Sequence, residues 1–320
     1  MPFFSSLLAA ILPMSFYLIL IWKMDKYEPE PIKFVLIHFL WGAFGAVILG
    51  VFGTLLLGYA TGINGATETE NTINIIIFAP LSEELAKGIF LLWTVNSRKF
   101  DNITDGIVYG SAIGLGFGMT ENFLYFISFG DSANAWFNLV IIRTLFSAVM
   151  HCISTGIFGA LLGMAKYGNL LSRTFLPFSG LGIGIFIHFF WNSAVIFNGT
   201  SVYGFIFMIF LIGLYFGIIR LSIYNEMKII ESQLEEEVNL GILPAKFLPI
   251  ISTRLRHKPG WIEEDKRKLY FNTAVHLAFS KMKFKKVRDS RKIIYLHEVN
   301  QNREALKNIL SNNVEIVRDI

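Results

Sequence analysis

The stretch Ala79-Pro80-Leu81-Ser82-Glu83-Glu84-Leu85-Ala86-Lys87 puts two carboxylates and an ammonium group inside an otherwise apolar run. That run covers roughly residues 73–95, and about 20 mostly apolar residues suffice to cross a bilayer as a helix. A charge at the bilayer centre costs about 2.5–3.5 kcal/mol on insertion scales, so such groups face protein or water and mark function. The reading that decides the fold is therefore a membrane helix with a charged interior face. Pro80 has no N–H and suits the first turn of a helix. It is expected to open a half-helix whose positive end helps hold Glu83 and Glu84 ionised. Lys87 follows them at i+4 and i+3, close enough to neutralise one of the two.

Six further apolar segments flank this one, at roughly 3–22, 34–60, 106–129, 137–165, 175–198 and 202–223. The whole chain agrees: 53% of its 320 residues are hydrophobic, 16% are charged, and the mean hydropathy is +0.53. An average soluble domain carries about 25% charged residues, so a soluble globular protein is excluded. The expected fold is all-α, a polytopic transmembrane bundle of about seven or eight spans. The apolar N-terminus has no basic flank or small-residue cleavage site and reads as a retained helix. A single cysteine, Cys152, excludes an internal disulfide and disfavours a cysteine metal site.

Charge alternates between the connections. Lys23, Lys26 and Lys33, then Arg98 and Lys99, then Lys166 and Arg173, then Arg220 and Lys228 mark one side. Glu68, Glu70 and Asp131 mark the other, which carries no Lys or Arg. Basic loops face the cytoplasm, which puts the N-terminus outside and the C-terminus inside the cytoplasmic membrane. Residues 1–224 are then a membrane domain and 225–320 a cytoplasmic segment of short helices. The stretch 254–292, with thirteen Lys or Arg against four acids and including Arg288, reads as a solvated face or a contact for anionic lipid. The Asn198-Gly199-Thr200 sequon at a membrane boundary carries no reading.

Three more spans hold ionisable residues on faces of small residues. Gly110, Gly114 and Gly118 lead at helical spacing to Glu121, with Asn122 beside it. Ser147, His151, Thr155, Gly159 and Gly163 recur every fourth residue, as do Gly180, Gly184, His188 and Asn192. Small residues let helices approach closely, so these faces aim Glu121, His151 and His188 into the bundle. Arg143 reads as an interfacial anchor or a partner for an acid, and Cys152 as a small core residue. At 1.5 Å per residue, Glu84, Glu121, His151 and His188 lie roughly 17, 22, 21 and 20 Å from the cytoplasmic ends of their spans. All four fall at one level, in the outer half of the membrane.

Carboxylates and imidazoles at one level suit activation of water. A Glu can act as general base, while two Glu with one or two His also make a donor set for a divalent metal such as zinc. Asn192 and His188 can donate to a developing oxyanion. The sequence has neither a nucleophile-elbow Ser/His/Asp pattern nor His-Glu-x-x-His. The candidate catalytic residues are Glu83, Glu84, Glu121, His188 and Asn192, and the candidate ligands Glu84, Glu121, His151 and His188. A proton-coupled carrier and a non-catalytic scaffold are the rival readings; carriers tend to show paired helix breaks in two halves, and only Pro80 breaks here.

Over residues 17–195 the chain resembles the PrsW membrane proteases. Glu83-Glu84-Leu85-Ala86-Lys87 matches their EExxK motif and Phe117-Gly118-Met119-Thr120-Glu121 their FxxxE motif. Asp105-Gly106-Ile107-Val108-Tyr109-Gly110 and Asp25-Lys26-Tyr27-Glu28-Pro29-Glu30-Pro31 are similar as well. The third motif, usually HxxxD, is here His188-Phe189-Phe190-Trp191-Asn192; Asn192 cannot serve as a base, and in this the chain is similar to the related CAAX prenyl endopeptidases. The resemblance implies an intramembrane endopeptidase, of metallo- or glutamate type, acting on single-pass membrane proteins such as an anti-sigma factor. Its partners are then membrane lipid and substrate, with no nucleic acid.

Overall fold

The computed structural model describes residues 3–129, 132–197, 199–287 and 290–311. Asp131, Asn198 and Arg288 lie outside the described residues. Among those described the chain is all-α, with no strand. It divides into two compact units: one up to Asp25 with Pro29–Ile219, the other Lys26–Glu28 with the chain from Arg220 onward.

All seven expected segments are helical. They are α1 (Phe3–Met24), α2 (Ile32–Thr61), α3 (68–94), α4 (Ile103–Ser128), α5 (Ala133–Lys166), α6 (Leu170–Ile196) and α7 (Ser201–Asn239). Five of these, α1, α2, α5, α6 and α7, are long and apolar enough to cross a membrane. The other two are α3, which carries Glu83, Glu84 and Lys87, and α4, which is rich in glycine and carries Glu121. Helix α4 is buried on every side from Thr104 to Gly118, so its neighbours, not lipid, face it. The outer helices show the reverse pattern. Leu55, Phe178 and Phe210 are each more than 60% exposed, a surface that only lipid covers without cost.

Close packing of α4 on α5 builds the centre of the first unit. A Cβ at Gly106 would meet the Gly159 carbonyl, one at Gly110 the Thr155 carbonyl, and one at Gly114 the His151 carbonyl. The two small-residue faces read from the sequence therefore meet each other, antiparallel. Without Cβ atoms the backbones touch, and His151 is set against α4 at Gly114.

Among the described residues three π-helical stretches interrupt the spans: Trp41–Ala46 in α2, Asn74–Phe78 in α3 and Arg143–Ser147 in α5. Such wide turns recur at functional sites because they re-aim the residues that follow. The stretch in α3 changes the reading of Pro80. The helix does not begin there; it runs through, and the N–H of Ala79 bonds five residues back to the Asn74 carbonyl. In that register the next donor would serve the Ile75 carbonyl, and Pro80 has no donor to give. The expected half-helix terminus at Pro80 is thus replaced by a continuous helix with one orphaned carbonyl, so no helix end supports Glu83 and Glu84.

The second unit holds α8 (Leu248–Ser252), α9 (Glu264–Lys286) and α10 (Arg291–Leu310) together with the end of α7. Glu237 is fully buried there and takes hydrogen bonds from Arg303 (2.8 and 2.9 Å) and Lys281.

Candidate active site

Helices α3, α4, α5 and α6 bring Glu83, Glu84, Lys87, Glu121, His151 and His188 into one cluster. Helix α2 makes the space: a Cβ at Gly50 would lie 2.9 Å from Cγ of Glu83. Gly184 of α6 likewise leaves room beside the Glu84 carboxylate, 3.5 Å from where its Cβ would stand.

Both Glu84 oxygens are committed. Oε1 accepts from Lys87 Nζ at 2.7 Å and from His188 Nδ1 at 3.0 Å, and Ser154 Oγ donates to both oxygens at 3.2 and 3.3 Å. Lys87 is fully buried, places Nζ 2.9 Å from His151 Nδ1, and lies 4.0 Å above the Phe117 ring. A lysine ammonium only donates, so His151 Nδ1 is an acceptor and the imidazole proton sits on Nε2. Nε2 is 2.8 Å from Oε2 of Glu121. Arg143 holds that same Glu121 oxygen at 2.7 Å, donates to Asn122 Oδ1 at 3.1 Å, and stacks 3.6 Å over Tyr125.

Glu83 differs from these. Its Oε2 is buried without a hydrogen-bond partner and stands 3.8 Å from His188 Nε2. His188 gives its Nδ1 proton to Glu84, which leaves a lone pair on Nε2 facing Glu83. The two rings, His151 and His188, meet edge to face at 4.8 Å. One donor atom each from Glu83, His151 and His188 falls within 4.8 Å of the others.

That donor set suits a divalent cation once Lys87 gives up His151 Nδ1, the nitrogen that would serve as ligand while Nε2–H stays on Glu121. Two imidazoles and a carboxylate with an open fourth position is a catalytic zinc set, and an orphaned buried carboxylate oxygen is the atom a cation would satisfy. The carboxylate in the triad is Glu83; the sequence reading favoured Glu84 and Glu121. Those two instead hold the other faces of the imidazoles, Glu84 on His188 and Glu121 on His151, as carboxylates behind histidine ligands commonly do.

Asn192 is placed differently from the expected oxyanion donor. Its Nδ2 donates at 2.9 Å to the Ile75 carbonyl, the group that Pro80 orphans. Ser154 was missed by sequence reasoning; its position three residues after His151, on the same helical face, was the available signal. Arg143 proves to be the partner of an acid, and that acid is Glu121.

Residues 30–216 match the sequence model described as PrsW family intramembrane metalloprotease. Among curated relatives, Protease PrsW of Geobacillus kaustophilus is 31% identical over 58% of this chain and 77% of its own length. Protease PrsW of Bacillus subtilis is 29% identical over 51% of this chain and 70% of its own. That of Clostridioides difficile is 29% identical over 57% and 75%. No solved structure matches the chain. With the family model covering more than half of the sequence and the cluster above formed from its motifs, the chain belongs to the PrsW family and is a multi-pass membrane protease.

Proposed function

We propose that the chain hydrolyses peptide bonds of single-pass membrane proteins, anti-sigma-factor-like regulators among them, in the outer half of the cytoplasmic membrane. The observation that carries this is the Glu83 carboxylate oxygen, buried without a hydrogen-bond partner and 3.8 Å from Nε2 of His188. Charge alternation supports the orientation, N-terminus outside and C-terminus in the cytoplasm. Residues 1–224 carry the activity, and the segment from 225 is a cytoplasmic appendage.

Glu83, His151 and His188 would hold a divalent cation such as zinc. When bound, it supplies a lowered water pKa and polarises the scissile carbonyl. Glu84 fixes the His188 ring and tautomer through Nδ1. Lys87 balances Glu84 and holds the His151 Nδ1 that the cation would take. Glu121 is the most exposed carboxylate of the cluster, its side chain 23% accessible against 16% for Glu83 and 3% for Glu84. It is therefore the group that takes the proton lost by the attacking water and returns it to the leaving amine. Arg143 keeps Glu121 aimed at His151. Asn192 braces α6 against α3 and so sets the height of His188 relative to Glu83.

A second reading has its own support. Both His151 nitrogens are already hydrogen-bonded, to Lys87 and Glu121, which favours Glu83 acting alone as the general base toward water. Both readings require Glu83. Cleavage of a transmembrane peptide by membrane-inserted Glu83→Gln, Glu121→Gln and His188→Ala variants tests the assignment: each is expected to lose activity. Full activity in all three would remove it.

A further inference from the structure

The strongest feature outside the cluster is a groove of about 360 Å³ at the loop end of α2 and α3. Its walls are Phe34, Ile37, Phe90 and Trp93, of which Ile37 and Trp93 are 49% and 71% exposed. It lies about 15 Å along α3 from Glu83, ten residues at 1.5 Å each, so it is not part of the proteolytic site.

The floor is built to keep the groove open. His38 is buried and bonded on both nitrogens, to the Phe34 carbonyl at 2.7 Å and Thr94 Oγ1 at 3.1 Å. Its ring stacks on Tyr109 at 4.2 Å, and the Tyr109 hydroxyl bonds Glu30. Trp41 stacks on Phe90 at 5.0 Å from behind. A side chain locked from both sides cannot swing in to fill the space.

The rim is polar, and basic residues adjoin it in the chain. Asn96 and Ser97 line the groove's edge, and Arg98 and Lys99 follow directly in the chain. Lys33 precedes the wall residue Phe34, and all three cations are exposed. Apolar walls, an interfacial Trp and adjoining basic residues match an acyl chain carrying an anionic head. We infer that this groove is a binding site for an anionic glycerophospholipid, its acyl chain against Phe34, Ile37, Phe90 and Trp93 and its phosphate on Lys33, Arg98 and Lys99. The lipid would tie the inner ends of α2 and α3 together, the helices that carry Gly50 and Glu83. The inference does not depend on the proteolytic reading, and lipid binding is measured without a substrate.

The test is native mass spectrometry of the full-length protein, delipidated in detergent and titrated with phosphatidylglycerol or phosphatidylcholine. Wild type is expected to bind phosphatidylglycerol at least about fivefold more tightly, the effect of one engaged basic residue. Lys33→Gln, Arg98→Gln and Lys99→Gln combined should bring the preference to within about twofold of parity. Ile37→Trp, which fills the groove from an exposed position, should weaken both lipids and remove the preference. No preference in wild type, or a preference that survives either variant, overturns the inference. So does tight binding of a farnesylated peptide that Ile37→Trp abolishes and the three glutamines leave intact, since the groove would then serve a lipidated polypeptide.

Discussion

The pairing of Asn192 with the Ile75 carbonyl makes a prediction that separates a structural brace from an oxyanion donor. Pro80 removes the N–H that would serve this carbonyl, and Asn192 Nδ2 replaces it at 2.9 Å. Asn192→Ala would leave the carbonyl unserved inside the bundle. An unsatisfied buried acceptor costs about 1–3 kcal/mol, and the lost tie would let His188, one turn away, drift from Glu83. Misplacement near 1 Å can cost about 100-fold in rate. Adding Pro80→Ala restores a backbone donor in the right register, at a price of less than about 1 kcal/mol from the looser unfolded chain. The assay is thermal stability in detergent together with kcat for a transmembrane peptide, over the four members of the cycle. The brace account expects Asn192→Ala to lose both stability and activity, and the double variant to regain stability but little activity, because the restored donor lies within α3 and the tie to α6 is still missing. An oxyanion donor would instead show a loss of about 10²–10³ in kcat with stability unchanged. Unchanged stability in Asn192→Ala, or no recovery of stability in the double variant, refutes the brace.

Three further perturbations follow from the same geometry. Gly114→Ala puts a methyl group against the His151 carbonyl and 2.8 Å from Cys152 Cα. The tightest contact, 2.0 Å to the His151 oxygen, needs about 1.4 Å of relief to become an ordinary one, so α4 is pushed off α5 and cleavage should fall well below wild type, while Gly182→Ala, where a Cβ meets open space, is silent. Arg143→Lys keeps the charge and loses the fork that spans Glu121 and Asn122; a fall in kcat/KM of tenfold or more is expected, and an unchanged value would show that Glu121 needs no such aim. In the second unit, burial alone would raise the Glu237 pKa, but hydrogen bonds from Arg303 and Lys281 outweigh it and hold the group below the usual carboxylate range. Its contribution to stability is thus complete above about pH 4.3 and is lost as the pH falls through the lowered pKa. Glu237→Gln should cost this unit about 3 kcal/mol at neutral pH, read by hydrogen exchange of α9 and α10, and should flatten its acid dependence.

Much of this was legible in the sequence because membranes leave few options. Apolar length located the seven helices, and the spacing of glycines at 110–118 and of small residues at 147–163 located the faces on which α4 and α5 meet. Helical spacing also put Lys87 within reach of Glu83 and Glu84, and the structure pairs it with Glu84. The division of labour between Glu83 and Glu84 was not legible, since adjacent residues point about 100° apart and only the neighbouring helices decide what each meets. Gly50 gives Glu83 its space, and Ser154 with His188 occupies Glu84; both depend on contacts across the chain. The π turns left no trace in composition. They arise from packing, and the one before Pro80 turned an expected helix start into an orphaned carbonyl and gave Asn192 its role.

The most direct test of the central claim measures metal content and peptide cleavage together, on purified wild type, Glu83→Gln and His188→Ala. The account expects about one zinc or similar divalent ion per chain in wild type, chelator-sensitive cleavage, and loss of both metal and cleavage in the two variants. Metal and cleavage that both survive Glu83→Gln would contradict it.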